Sequence, residues 1–265
     1  MEVTHGLTGE NLDLIIHSPG GSAEVTEIIV KYLRSKFKKI RVIVPQGAMS
    51  AATMLACSAD EIIMGAHSYL GPIDSQIILH TPLGIRSVPA QSILDQFDMA
   101  TKECKADPKN LGVWMPILGQ YGPSLLIQCK NALDLSKDLV TQYLSEYMFK
   151  DEDNGVDKAK DIANKLADHR IFKSHNRHIS RKQVKDFGLK ITNLEEDKDF
   201  EDLVMSVFHA TTHTFNGTMA AKIIENHDGK AFIKFESTIL MKPVPKEEAK
   251  KVKRDKENTN EKIKD

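Results

Sequence analysis

The stretch whose reading decides the fold is "VIVPQGAMSAATMLACSADEIIMG", residues 42–65. It opens inside an apolar run, "IRVIVP" (40–45), that stops at a proline, as a buried strand does where it meets a loop. "SAATMLACSA" then has no polar face, which predicts a short helix buried in the centre of a domain. "DEIIMG" reads as the next strand. With the strand "LDLIIHS" (12–18) upstream and a helix between it and "IRVIVP", the pattern predicts a right-handed βαβ unit and a parallel sheet. One residue is out of place. Ser50 is a lone hydroxyl at the junction of strand and helix, between Met49 and Ala51, where a plain turn would carry Asn, Asp or Gly.

Upstream, "LDLIIHS" (12–18) is a short apolar run ended by Pro19, Gly20 and Gly21. The following "SAEVTEIIVKYLRSKF" places Val25, Ile28, Ile29, Tyr32 and Leu33 on one helical face, with Ser22 as N-cap. Downstream, the pattern turns helical from 90 to 170. There "PSLLIQCKNALDLSKDLVTQYLSEYMF" carries Leu125, Leu126, Cys129, Leu133, Leu139, Tyr143, Leu144 and Tyr147 at helical spacing. Two long helices packed as a lid or an oligomer contact are expected, with "KDEDNG" as a solvated loop between them. "ISRKQVKDFGLKI" offers Ser180 and Gln183 as a capping box and Gly188 as a stop, with a strand "LKI" after it. Residues 198–226 read as helix and "KAFIKF" (230–235) as a strand. The expected organisation is one α/β domain over 1–242, with a helical insertion over about 90–168, and a charged, disordered tail over 243–265. No internal repeat is visible.

Composition excludes several classes of function. A chain of 265 residues is long enough to bury a sizeable core, and a formal net charge of −1 argues against a nucleic-acid partner. Three cysteines, Cys57, Cys104 and Cys129, are odd in number and outside any CxxC spacing, so they predict neither a disulfide framework nor a zinc site. No window reaches the roughly 18 apolar residues that a spanning helix needs, and the start lacks the pattern of a signal peptide. Cytoplasmic location and no membrane segment are the expectations.

The chemistry gathers at two junctions. In "HSPGGS" (17–22), two glycines after a strand let the backbone approach a ligand and turn its amides outward, ahead of a helix N-terminus. The same tripeptide is also a common structural turn. Ser50 sits at a second such junction on the adjacent strand, so both fall at the carboxyl edge of a parallel sheet, where open α/β folds hold ligands. The amide of Ala51 is then a candidate oxyanion donor. A serine attacks only if a base takes its proton, normally a histidine oriented by a carboxylate. Asp74, in "LGPIDSQ" at the same edge, is the candidate acid, an Asx turn or helix cap being its structural alternative. His169, His175 and His178, in "DHRIFKSHNRHIS", are candidate bases, and spacing alone leaves the three open. His209 and His213 have an i, i+4 spacing that can hold zinc, but without HExxH they read as structural. Lys102 and Lys105 invite a Ser-Lys dyad and read as solvated helix residues.

"HSPGG", "AMSAATM", "SADEIIMGAHSYLGPID", "FKSHNRHIS" and "VFHATTHTFNGTMAAKIIENHDGKAFIKF" together resemble the ClpP/crotonase superfamily, and within it the serine dehydrogenase proteinase family, the SDH-type Clp-fold serine proteinases. The likeness covers most of residues 10–240. It implies a ClpP/crotonase-like fold of repeated ββα and βαβ units, a mostly parallel sheet and an added helical region. It also implies a triad in the order Ser, Asp, His, unlike the Ser, His, Asp order of the Clp protease proteolytic subunit. Carried over by position, Ser50 resembles the nucleophile and Asp74 falls near where that subunit has its histidine. His175 stands near where it has its aspartate, and Gly21 and Ala51 resemble the oxyanion donors. Superfamily members carry a strand and a helix before the "SPGG" strand, which implies an N-terminal portion outside this sequence.

The resulting expectation is a peptidase acting on a peptide or protein through an acyl-enzyme, with no cofactor and no metal, assembled as a homo-oligomer through helix 24–36 and the long helical region. Two alternatives remain. One is a crotonase-like enzyme that uses the oxyanion hole on an acyl-CoA; the other is a non-catalytic oligomeric scaffold.

Overall fold

The computed structural model describes residues 2–81 and 84–236. These divide into two compact units, Gly6–Ala210 and a smaller one that joins residues 2–5 to the chain from Thr211 onward. The expected tail, 243–265, lies outside the described residues.

The larger unit is built on a four-stranded parallel sheet. Its strands are β1 (Asn11–Ile15), β2 (Lys39–Val44), β4 (Glu61–Met64) and β9 (Ile191–Asn193), in the order β1-β2-β4-β9. Helix α1 (Ala23–Lys36) crosses from β1 to β2, and α2 (Ala51–Cys57) from β2 towards β4. The strands alternate at period two between two buried faces. Val42, Val44, Ile62 and Met64 enter the main core, while Ile43 and Ile63 pack against Leu194 and Val204. A sheet covered on both faces explains why β2 and β4 read as near-continuous apolar runs.

A second, three-stranded sheet stands over the carboxyl ends of the first. It joins β3 (Gly47–Ala48), β5 (Tyr69–Leu70) and β8 (Ile179–Ser180), with β3 and β5 parallel and β5 and β8 antiparallel. Next in the chain comes an antiparallel hairpin, β6 (Gln76–Thr81) and β7 (Gly84–Pro89). The helical region follows: α3 (Ala90–Ala106), α4 (Leu111–Leu118), α5 (Leu125–Tyr143) and α6 (Gly155–Ala167). Helix α6 buries Ala159, Ile162, Ala163 and Leu166, an i, i+3, i+4, i+7 row. Short α7 (His169–Phe172) leads to β8 and to α8 (Arg181–Phe187). Ser180 caps α8 in a full capping box with Gln183, and Gly188, at φ 105, ends it as expected. Helix α9 (Lys198–Gly217) closes the unit on the face of the sheet that carries Ile43 and Ile63.

The smaller unit is an antiparallel hairpin, β10 (Ala220–Glu225) and β11 (Ala231–Phe235). Asn226 closes its turn by accepting the amides of Asp228 and Lys230 on its side-chain oxygen, and it donates to the carbonyl of Val3.

Two local expectations differ from what forms, and one element was not expected. Residues 220–225 are strand rather than helix, because pairing with β11 overrides the helical propensity of their Ala, Lys and Glu. The 76–89 hairpin is marked in the sequence only by "TPLG" between two apolar runs. In α1 the inward row is Thr26, Val30 and Leu33, whereas Val25, Ile28 and Ile29 remain 54%, 59% and 40% exposed. Both rows have helical spacing, about 100° apart around the helix, and periodicity cannot say which of two apolar rows a single layer will cover.

Candidate active site

The site begins with two chain segments laid side by side beyond β1 and β2. Ser18 pairs with Ala48 in a parallel bridge: its amide donates to Gly47 O at 3.0 Å, and its carbonyl accepts the Met49 amide at 3.0 Å. This brings the Pro-Gly-Gly turn against Ser50. Gly20 is the close-approach glycine. It holds φ 105, and a β-carbon there would lie 2.6 Å from Met49 O and 2.9 Å from Ser50 Cβ. Gly21, one residue on, faces open space.

Ser50 itself has φ 51 and ψ −119, between β3 and α2. That is a conformation that favours glycine, and a side chain held in it stores about 1–3 kcal/mol of strain. Its hydroxyl caps nothing in α2, and the residue is half-buried. Helix α2 is tied down by Thr53, whose hydroxyl lies 2.7 Å from Ala48 O and accepts the Gly71 amide at 3.0 Å. The same amide lies 3.1 Å from Ala48 O. Thus the loop that carries the acid is anchored on both sides of Ser50. The amides of Gly21 and Ala51 make no hydrogen bond among the described residues.

Asp74 lies three residues beyond Gly71 and is 1% exposed. Its neighbours fix it. The Ile73 amide donates to Leu166 O at the end of α6 (2.9 Å), and the Ser75 hydroxyl donates to Ala132 O in α5 (2.7 Å). The carboxylate meets three side chains. His175 Nδ1 lies 2.7 Å from Oδ1, His169 Nδ1 lies 2.9 Å from Oδ2, and Gln76 Nε2 donates to Oδ2 at 3.3 Å. A carboxylate offers acceptors, so an imidazole facing it donates from Nδ1, and in its neutral form has its lone pair on Nε2. Both histidines come from one segment. His169 opens α7, and His175 follows Lys173, which turns the chain at φ 61. Of the three candidate bases, only His178 is apart from Asp74. It stacks on Tyr69, ring centroids 3.7 Å apart.

Other candidates fall away from this cluster. Lys102 and Lys105 are exposed on α3. No group of three or more His, Cys, Asp or Glu side chains poised to hold a metal ion occurs among the described residues. Cys57, at the far end of α2, has its thiol pushed up to about 12 by burial, which makes it a poor nucleophile. Sequence reading did not single out Thr53, Gln76 or Ser75. Thr53 carries one visible signal, a lone hydroxyl on the apolar helix after Ser50.

A model of the ClpP-like SDH-type serine proteinases matches residues 6–208, nearly the whole of the larger compact unit. The chain belongs to this family. It is 32% identical to an uncharacterised protein of Methanocaldococcus jannaschii over 188 residues, 70% of this chain and 55% of that protein. A second uncharacterised protein of the same organism is 29% identical over 199 residues, 74% of this chain and 57% of the relative. The chain therefore spans about half the length of the curated relatives it matches. No helix among the described residues is long and apolar enough to cross a membrane.

Proposed function

We propose that this chain is a serine-type peptidase that hydrolyses peptide bonds through an acyl-enzyme. The observation that carries the reading is the backbone of Ser50. A serine held at φ 51, ψ −119 where strand turns to helix, its hydroxyl unused as a cap, carries the kind of backbone strain that a nucleophile at a sharp strand-to-helix turn carries. The Asp74–His175 contact of 2.7 Å supports it, since a carboxylate on Nδ1 leaves Nε2 free to take a proton.

In this mechanism Ser50 Oγ attacks the scissile carbonyl carbon while His175 Nε2 takes its proton. The amides of Gly21 and Ala51 hold the oxyanion, where losing one donor costs about 100-fold or more in turnover. His175 then protonates the leaving amine. Water, activated by the same imidazole, cleaves the ester and restores Ser50. The substrate is a peptide or protein and no cofactor takes part. Self-association into a homo-oligomer is part of this reading, supported by the exposed Val25, Ile28 and Ile29 row of α1. Three cysteines without a disulfide fit a reducing, cytoplasmic setting.

The test is labelling with a fluorophosphonate probe, with the adduct located by mass spectrometry. A mark on Ser50 that is absent from Ser50→Ala is expected. An assembled, folded protein that takes no label would overturn the reading, and acyl-CoA binding would then be measured in its place.

A further inference from the structure

A Ser, Asp, His mechanism needs one imidazole on its carboxylate, and Asp74 has two. We propose that His169 is a positioning residue, which donates to Asp74 Oδ2 so that Oδ1 remains aimed at His175. This rests on the peptidase reading above.

The two oxygens of Asp74 are used unequally. Among the described residues, Oδ2 takes two donors, His169 Nδ1 at 2.9 Å and Gln76 Nε2 at 3.3 Å, whereas Oδ1 takes His175 Nδ1 alone at 2.7 Å. Two donors on one oxygen fix the rotation of the carboxylate about its Cβ–Cγ bond, which leaves the other oxygen directed at a single partner. A buried carboxylate with only one donor would keep unsatisfied lone pairs and a choice of orientations.

The histidines also differ in setting. His169 is the first residue of α7, directly after α6, the helix whose Leu166 carbonyl already holds Ile73. One residue, Asp168, separates it from the element that holds the acid's own backbone. Its side chain is 14% exposed, against 22% for His175, which lies on irregular chain after the Lys173 turn. A base has to reach substrate, whereas a positioning group does not. The more buried, helix-borne imidazole suits the second role and the more open one the first. Chemically, His169 keeps its proton on Nδ1 throughout the cycle. The charge that forms on His175 is met by a carboxylate that does not have to turn.

The choice of substitutions separates the roles, because an asparagine amide places an N–H near the position of Nδ1, and alanine places none. The protein would be compared as His169→Ala, His169→Asn and His175→Ala, each checked for native circular dichroism. Fluorophosphonate labelling rates and turnover of an unstructured fluorogenic peptide would be followed. His175→Ala is expected to fall to the level of Ser50→Ala. His169→Ala is expected to lose about 10- to 100-fold in kcat with KM nearly unchanged, the cost of a misaimed group. His169→Asn is expected to return to within about threefold of the starting protein, as an intact Oδ2 hydrogen bond requires.

Three results would overturn the proposal. Full activity in His169→Ala would make the second imidazole idle. Loss in His169→Asn as deep as in His175→Ala would make His169 the base. Equal loss in His169→Asn and His169→Ala, both folded, would show that the hydrogen bond is not what matters. Proton NMR of the imidazole N–H region gives a readout independent of activity. The His175 Nδ1–H signal should broaden in His169→Ala and sharpen again in His169→Asn. If the starting protein takes no label, the peptidase reading fails by itself, and the spectrum still decides whether His169 orders the Asp74–His175 contact.

Discussion

At Ser50 a single backbone conformation sets chemistry against stability. With φ 51 and ψ −119 this position favours glycine, so Ser50→Gly should relieve strain that Ser50→Ala retains. Part of the relief is offset by the greater freedom of glycine in the unfolded chain. The expected outcome is that both variants lose probe labelling, while Ser50→Gly is about 1 kcal/mol more stable than Ser50→Ala by urea midpoint. Equal midpoints would mean that the strain at the junction is no larger than the cost of glycine's freedom in the unfolded chain. At this scale the sequence was informative about position and silent about partners. Ser50 and Asp74 stand out because each follows a strand at the same sheet edge, a local feature. Choosing among His169, His175 and His178 requires knowing how a segment about 100 residues away folds back over Asp74, and two of the three arrive there.

At the scale of elements, the joint between α2 and the Asp74 loop is the Thr53 hydroxyl, between Ala48 O and the Gly71 amide. Thr53→Val keeps the shape and removes both interactions, leaving a buried carbonyl and amide less well satisfied. A loss of about 1–2 kcal/mol is expected, with slower labelling of Ser50 because the acid's loop is no longer held to the helix. Chemical denaturation and labelling kinetics check the two halves separately. Elements whose signals are local were legible throughout. Helix α8 has its cap, box partner and terminal glycine within nine residues, and each works as read. Elements defined by a partner were not. The β6–β7 hairpin and β10 exist because another strand lies beside them, and composition alone suggested helix for the second.

On the scale of the whole molecule, the exposed row on α1 marks the surface to test for assembly. Ile28, 59% exposed between Val25 and Ile29, lies near its middle. Under the oligomeric reading, Ile28→Glu should weaken self-association about tenfold or more, because a carboxylate would have to be buried at the contact. Sedimentation velocity over a concentration series measures this directly, and an unchanged mass would remove α1 from the interface. The parallel sheet was legible because apolar runs, a proline stop and glycine turns encode its strands and crossovers in order. Which face of α1 is covered depends on the layers around it, and no residue of the helix carries that information.

Asp74 hangs from main-chain carbonyls, that of Leu166 through Ile73 and that of Ala132 through Ser75. Every amino acid brings the same carbonyl, so the surfaces of α5 and α6 can drift over generations without removing the pegs that hold the acid. Tolerance is therefore expected at the exposed positions of α5 and α6, whereas in the loop from Gly71 to Gln76 the Ser75 hydroxyl and the Gln76 amide take part through their own side chains.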